Sequence, residues 1–310
     1  MKLFLKRLSK LLLFIIIAHC LIVFISLMLI EKISKTSNII NKGIINEGAN
    51  IYIMGNSHPE CAINDSLLPD KYINISLSAE PLFYSVIKAR KLLTENKKID
   101  TIIIEFTNNS LNTVGWVINN DRLFANYRRY FANMNFAEHY FLFSNNLKKS
   151  LKTFFSLTPR RIWLSNKTVN GGYLYLIRNE VVSPTNKQKK LGKPSNEIVE
   201  YNNVSEYMGF KNLISLIKTN PQTHFILTRM PQHTSYSGFN NETVYQQCLE
   251  QINYLKNCRY IDFTHTLLDN YCFGDAEHLN YLGAKVFTPI FLDSIRTTSF
   301  KLNQDYQGSN

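Results

Sequence analysis

Twenty consecutive residues without a formal charge, Leu11 to Ile30 (LLLFIIIAHCLIVFISLMLI), divide this chain of 310 residues into a membrane segment and everything that follows it. As a helix rising ~1.5 Å per residue, such a run covers a hydrocarbon core of ~30 Å. Lys2, Lys6, Arg7 and Lys10 precede it, so the positive-inside rule predicts a cytoplasmic N-terminus and an extracytoplasmic remainder, in the periplasm or at the cell surface. A cleaved signal peptide fits less well, because its apolar region spans only ~7–15 residues and no small-x-small site follows the run before Glu31 and Lys32. A lipoprotein signal at Ile17-Ala18-His19-Cys20 is disfavoured too, since the apolar run continues past Cys20 and His19 fits poorly before a processed cysteine. The expectation is an uncleaved single-pass anchor in residues 1–35, with the lipid bilayer as the partner of residues 11–30, and one extracytoplasmic domain over residues 36–310.

Beyond the anchor, strand-like and helix-like patterns alternate. Short apolar runs at Ile51–Met54, Tyr72–Leu77, Thr101–Phe106, His224–Arg229 and Tyr260–Phe263 read as strands. Pro81–Asn96, Val204–Lys218, Glu242–Asn257 and Tyr281–Thr297 carry apolar residues at helical spacing. That alternation predicts an α/β fold, a three-layer sandwich around a mostly parallel central sheet of flavodoxin-like type. Ligands of such sheets bind beyond the carboxyl ends of the strands.

Two short motifs fall at that edge. Gly55-Asn56-Ser57-His58 follows the first strand and precedes Pro59, which suits the first turn of a helix, so Ser57 belongs on a strand-to-helix turn with its hydroxyl exposed. Asp275-Ala276-Glu277-His278-Leu279-Asn280 lies near the other end of the chain, with its aspartate placed to hold the imidazole in one tautomer. Either alone has an ordinary alternative, a Gly-Asn-Ser turn or a helix cap followed by a surface histidine. Together they offer a nucleophile, a base and an orienting carboxylate.

From about Ile51 to Ser299 the chain resembles the SGNH (GDSL-like) hydrolase superfamily. Gly55-Asn56-Ser57 is similar to its Gly-Asp-Ser nucleophile block with Asn for Asp, and Asp275-x-x-His278-Leu-Asn, followed by Gly283-Ala284, is similar to its C-terminal Asp-x-x-His block. The resemblance implies Ser57 as nucleophile, His278 as general base and then acid, and Asp275 as the orienting carboxylate. It is stronger for the membrane-anchored branch that modifies envelope polymers, such as the alginate O-acetylation proteins and the D-alanyl transfer protein of teichoic acid synthesis. Those relatives share an N-terminal membrane helix and the Gly-[Asp/Asn]-Ser-His form of the nucleophile block. The family completes its oxyanion hole with a glycine N–H and an asparagine side chain. Here Asn74-Ile75-Ser76-Leu77-Ser78-Ala79-Glu80-Pro81 contains no glycine. The expected donors are the backbone N–H groups of Ser57 and of Ala79 (or its neighbour Ser78), with the side chain of Asn108 or Asn109. Asn108-Asn109-Ser110 reads equally as a plain turn.

His58 and His233 are further candidates for contact with substrate, each matched by a bland role, a cap for the next helix and a surface loop. His139, His224 and His265 have no carboxylate at suggestive spacing, and no cluster has metal-ligand spacing. No Gly-rich loop points to a nucleotide, so neither metal nor cofactor is expected. Five cysteines, Cys20, Cys61, Cys248, Cys258 and Cys272, leave the choice between free thiols and up to two disulfides open. The net charge of +12 suits an anionic partner, a phosphate-rich polymer or a lipid surface, although Lys187-Gln188-Lys189-Lys190 also reads as a solvated loop. Nucleic acid is not an expected partner outside the cytoplasm.

An insertion at about 110–203 is rich in aromatic and basic residues, as in Tyr127-Arg128-Arg129-Tyr130-Phe131 and Arg160-Arg161-Ile162-Trp163. It reads either as a glycan-binding lid or, with Tyr130, Phe131, Tyr140, Phe141 and Phe143 inward, as the core of a helical subdomain, and the second reading carries more weight. The functional expectation is a serine-dependent esterase or O-acyltransferase acting on an envelope or exported polysaccharide. A transferase would take its acyl donor from a separate multi-pass membrane protein. The alternative is a non-catalytic, membrane-anchored glycan-binding module on a degenerate scaffold of the same type.

Overall fold

The computed structural model describes residues 2–36, 48–96, 98–111, 121–162, 171–179, 208–236 and 242–297. Trp163, the Lys187–Lys190 loop and the first residues of the helix expected from Val204 lie outside them. Helix α1, Lys2–Thr36, contains the apolar run and, over Lys2–Leu29, is long and apolar enough to cross a membrane.

Five parallel strands follow: β1 (Ile51–Met54), β2 (Tyr72–Asn74), β3 (Thr101–Glu105), β4 (His224–Arg229) and β5 (Cys258–Asp262), in the order β2-β1-β3-β4-β5. The expected strand at Tyr72–Leu77 ends at Asn74, and the last strand starts two residues earlier than its apolar pattern, at Cys258. The ladder nevertheless extends past β2, since Ile75 N–H donates to Ile53 O at 2.8 Å and Leu77 N–H to Gly55 O at 2.9 Å.

Continuous apolar runs are what a sheet covered on both faces requires. Alternate residues of each strand feed opposite layers. Tyr52, Met54, Ile102, Ile104, Phe225 and Leu227 meet α3 (Leu82–Glu95) and two later helices, Met208–Thr219 and Glu242–Asn253. Ile51, Ile53, Ile103 and Ile226 meet the C-terminal helix Tyr281–Thr297, with Phe287 and Phe291 fully buried there. The result is the expected three-layer α/β sandwich.

The described part of the insertion forms α4 (Asp121–Tyr130), α5 (Phe136–Asn145) and α6 (Leu147–Phe155), which pack on α3 and on Val23 of α1. Tyr130 and Phe131 are buried in this third cluster, and Phe141 and Phe143 pack against it, as a subdomain core requires. Tyr140 differs, being 65% exposed on the outer side of α5. Later helices are α7 (Met208–Thr219), α8 (Glu242–Asn253) and α9 (Tyr281–Thr297), and a short α2 (Ser57–Ala62) follows β1. All five cysteines are free thiols, which settles the pairing question in favour of reduced, mostly buried side chains.

Candidate active site

The chain goes from β1 to β2 on one side and returns to β3 on the other, so the crevice at the carboxyl ends of β1 and β3 is the topological switch point of the sheet. Ser57 leaves β1 there as the first residue of α2. Its backbone N–H therefore lies among those with no intrahelical acceptor. Asn56 caps the helix by accepting from the His58 N–H at 2.8 Å. Gly55 is required at the bend, because a Cβ would sit 2.5 Å from Glu105 Cβ and 2.7 Å from Pro59 Cγ.

Opposite Ser57, a loop between Phe273 and Leu279, closed by a bridge between those two residues, carries Asp275 and His278. Ser57 Oγ lies 2.7 Å from His278 Nε2, and His278 Nδ1 lies 2.8 Å from Asp275 Oδ1. That carboxylate oxygen also accepts the Glu277 and His278 backbone N–H groups, each at 2.9 Å. With Nδ1 donating to Asp275, Nε2 is left to accept the Ser57 proton. Burial alone would raise the Asp275 carboxyl, but the His278 hydrogen bond and charge, the Glu277 N–H and nearby Arg178 outweigh it and hold the group well below the usual carboxylate range. Asp275 Oδ2 is bound by Arg178.

Arg178 belongs to an extended strap, residues 171–179, that lies across this edge of the fold. Gly172 N–H donates to Ser76 O at 3.0 Å, Leu174 N–H to Glu60 O at 2.8 Å, and Tyr281 N–H to Leu176 O at 2.9 Å. At Gly171 a Cβ would lie 1.8 Å from Ser76 O, so only glycine allows the strap this close.

His58, the next residue, is buried beside the site. Its Nδ1 is 2.5 Å from Glu105 Oε1 and its Nε2 3.7 Å from Glu277 Oε2, and its ring centroid is 5.1 Å from that of His278. Glu105 Oε2 accepts the Asn56 N–H at 2.9 Å. Burial would lower the His58 pKa, but the charge and hydrogen bond of Glu105, helped by Glu277, push it up to about 10. Glu277 is in turn lowered, chiefly through its contact with His58.

Ala79 sits with φ 59°, the left-handed region that glycine favours, at the segment where the sequence lacks a glycine. The neighbouring residue holds it there. Glu80 accepts from Lys88 Nζ at 2.9 Å, from Ser85 Oγ at 2.9 Å and from the Tyr130 hydroxyl, while Asn126 Nδ2 donates to Ala79 O at 3.0 Å. Asn108, the expected side-chain donor to an oxyanion, is fully buried, and its amide oxygen accepts from Arg229 Nη2 at 3.2 Å. Arg229 also binds Glu242 at 3.0 Å, so the Asn108 carboxamide is oriented by β4 and α8. The Asn109 side chain lies outside the described residues. His233 does not offer a free ring to substrate. Its Nδ1 is 2.7 Å from Ser235 Oγ, its Nε2 is 3.0 Å from Asn270 Oδ1, and its N–H donates to Ala276 O at 3.1 Å, so it braces the Asp275–His278 loop instead.

Three residues around the site were not singled out from sequence: Glu105, Glu277 and Arg178. Glu105 had a visible signal, a charged side chain closing the otherwise uncharged strand Thr101–Glu105. Glu277 lies inside the Asp-x-x-His motif, and Arg178 had no local signal because strap and loop are joined only by the fold.

A family model of unknown function matches residues 183–300. None of the curated proteins matches the chain. A solved structure from Streptococcus pneumonia, named a "putative platelet activating factor", aligns with 93% of this chain and 99% of its own at 9% identity and a TM-score of 0.41.

Proposed function

We propose that the chain is a membrane-anchored serine acyl-transfer enzyme of SGNH type, an esterase or O-acyltransferase that acts on an envelope or exported polysaccharide. The observation that carries the reading is the continuous hydrogen-bonded line Ser57 Oγ, His278 Nε2, His278 Nδ1, Asp275 Oδ1, at 2.7 and 2.8 Å, at the switch point of a parallel sheet. Nucleophile, base and orienter in that order are what covalent acyl transfer needs.

In this reading Ser57 Oγ attacks an ester carbonyl carbon as its proton passes to His278 Nε2, and Asp275 stabilises the resulting imidazolium. The N–H groups of Ser57 and Ala79 receive the oxyanion, the left-handed turn at Ala79 serving in place of the family's glycine. The C–O bond to the leaving alcohol then breaks, His278 returns the proton to that oxygen, and the acyl group stays on Ser57. A second hydroxyl, from water or from a sugar, loses its proton to His278, attacks the acyl carbon and frees the serine. Water gives an esterase; a sugar hydroxyl gives a transferase fed by a separate multi-pass membrane protein. The four cations ahead of the apolar run support, by the positive-inside rule, a cytoplasmic N-terminus and a domain outside it.

The test is labelling of the full-length chain, in detergent or membranes, with a serine-reactive fluorophosphonate. The native chain is expected to label, with the signal lost in both Ser57→Ala and His278→Ala. A folded native chain that stays unlabelled alone and with acyl donor and membrane extract would overturn the enzymatic reading in favour of a glycan-binding module.

A further inference from the structure

Residues 75–80 join β2 to the turn before α3, and each of their backbone N–H groups has a destination that can be traced. Ile75 donates to Ile53 O at 2.8 Å, Ser76 to Asn74 Oδ1 at 3.0 Å, Leu77 to Gly55 O at 2.9 Å and Glu80 to Leu77 O at 3.1 Å. The Glu60 carboxylate takes up both the N–H and the hydroxyl of Ser78. Among the described residues, none accepts from the Ala79 N–H, which belongs to a half-exposed residue. It is the one backbone donor that this segment presents outward.

The carbonyls of the segment are held as well. Ile75 O accepts from Lys88 Nζ at 2.7 Å, Ser76 O from the Gly172 N–H at 3.0 Å, and Ala79 O from Asn126 Nδ2 at 3.0 Å. The direction of the Ala79 N–H is set by its φ of 59°. Alanine disfavours this left-handed conformation by roughly tenfold, because its Cβ crowds the following carbonyl oxygen, whereas glycine adopts it freely. An alanine stays there only if its surroundings hold it.

The hold on its carbonyl comes from α4. Asn126 and Tyr130 stand four residues apart and so share one face of that helix. Asn126 donates to Ala79 O, and the Tyr130 hydroxyl donates to the side chain of the next residue, Glu80. Asn126 is buried, and its amide oxygen accepts from Arg129 Nη1 at 3.2 Å, which leaves Nδ2 turned toward Ala79. The helix is itself fixed to α3, since the Tyr84 hydroxyl donates to Leu123 O at 2.7 Å and the Tyr84 ring stacks on Tyr130 with centroids 4.8 Å apart.

We propose that Asn126 is a positioning residue of the acyl-transfer site, which keeps Ala79 left-handed and its N–H aimed at the oxyanion by holding the Ala79 carbonyl. It supplies from outside the segment what a glycine at this position would supply by its own freedom. The first described helix of the insertion then supports the site rather than covering it. The inference rests on the serine acyl-transfer reading and on Ala79 as one of its oxyanion donors.

The test is the rate of fluorophosphonate labelling of the full-length chain in detergent, followed against probe concentration. In that reaction Ser57 displaces fluoride from phosphorus, and the phosphoryl oxygen takes the place of the oxyanion. Asn126→Asp keeps the shape and the acceptor for Arg129 but removes the donor to Ala79 O. It is expected to lower the maximal labelling rate about tenfold and to leave the half-saturating probe concentration unchanged. In an Ala79→Gly background the same substitution should cost less than about threefold. Asn126→Leu, which adds no charge, should show the same pattern. Native labelling with an unchanged rate in both Asn126 variants would overturn the role of Asn126 and leave the triad reading standing. An equal loss with and without Ala79→Gly, or a loss that follows the unfolding midpoint, would mean that α4 acts through stability alone and would overturn it too. A native chain that stays unlabelled, alone and with acyl donor and membrane extract, would remove the acyl-transfer reading and this inference with it.

Discussion

His58 Nδ1 lies 2.5 Å from Glu105 Oε1, both side chains are buried, and the same carboxylate accepts the backbone N–H of Asn56 at 2.9 Å. One strand-end glutamate thus ties down the residues on either side of the proposed nucleophile. Removing one partner of a buried ion pair leaves the other charge uncompensated, which costs about 3–5 kcal/mol. Glu105→Ala is accordingly expected to lower the unfolding midpoint sharply and to slow fluorophosphonate labelling of Ser57. The double variant His58→Ala with Glu105→Ala should be less destabilised than the sum of the singles, as a thermal-unfolding double-mutant cycle would read out.

The same pair sets a pH dependence. The folded His58 value, about 10, lies above the unfolded value of ~6.5, so the folded state holds the proton more tightly. Its contribution is complete below pH ~6.5 and is lost as the pH rises through about 10. Asp275 works in the opposite sense, because its folded value is depressed: its contribution is present above ~3.9 and is lost as the pH falls below that. The unfolding temperature in detergent should decline from pH 7 to 10, and His58→Gln should flatten that alkaline limb while leaving the acid limb in place.

Gly55→Ala tests the close approach at the turn. The added methyl would meet Glu105 Cβ at 2.5 Å, an atom too near the backbone to swing aside. Overpacking of this kind costs about 1–3 kcal/mol, so a lower unfolding midpoint is expected, with a loss of serine labelling greater than global unfolding explains.

Much of this arrangement was legible in the sequence because it rests on local patterns. The apolar runs located all five strands, the 3.6-residue period located α3, α8 and α9, and the two motifs named the three residues that meet. What escaped was what only packing decides. His58 was visible, but its buried pairing depends on Glu105, distant in sequence and adjacent only through the pairing of β1 with β3. Asn108 read equally as an oxyanion donor and as a plain turn residue, and its bond to Arg229 of β4 had no local signal. His233 read as a pocket-lining or surface loop residue, and its bond to Asn270, 37 residues on, arises only in the fold. The left-handed turn at Ala79 had no glycine to announce it, because it is held by the buried Glu80, Lys88 and Tyr130 group rather than by residue type.

The thiols give a check on the fold itself. Burial pushes Cys61, Cys248 and Cys258 up to about 12, and none is paired. A thiolate is the reactive form. A polar disulfide reagent should therefore leave these three unmodified in the native protein and titrate all five cysteines after denaturation, and a reductant should not shift the unfolding temperature. A reductant-dependent midpoint would contradict the free-thiol state.

Asp275 is held from two sides, and the two should not matter equally. Its Oδ1 accepts from His278 Nδ1 at 2.8 Å and from the Glu277 and His278 N–H groups at 2.9 Å, so the carboxylate is oriented by its own loop. Arg178 approaches Oδ2 from the strap and is 40% exposed, where solvent screening leaves an ion pair worth about 0–1 kcal/mol. Asp275→Asn removes the acceptor that fixes the imidazole tautomer, a change that costs about four orders of magnitude in the serine protease triad. Arg178→Ala is expected to slow labelling by less than about tenfold, since tenfold corresponds to about 1.4 kcal/mol. Second-order labelling rates of the two variants at neutral pH would read the difference. Comparable losses in both would mean that the strap, rather than the Asp275–His278 loop, sets the geometry of the base.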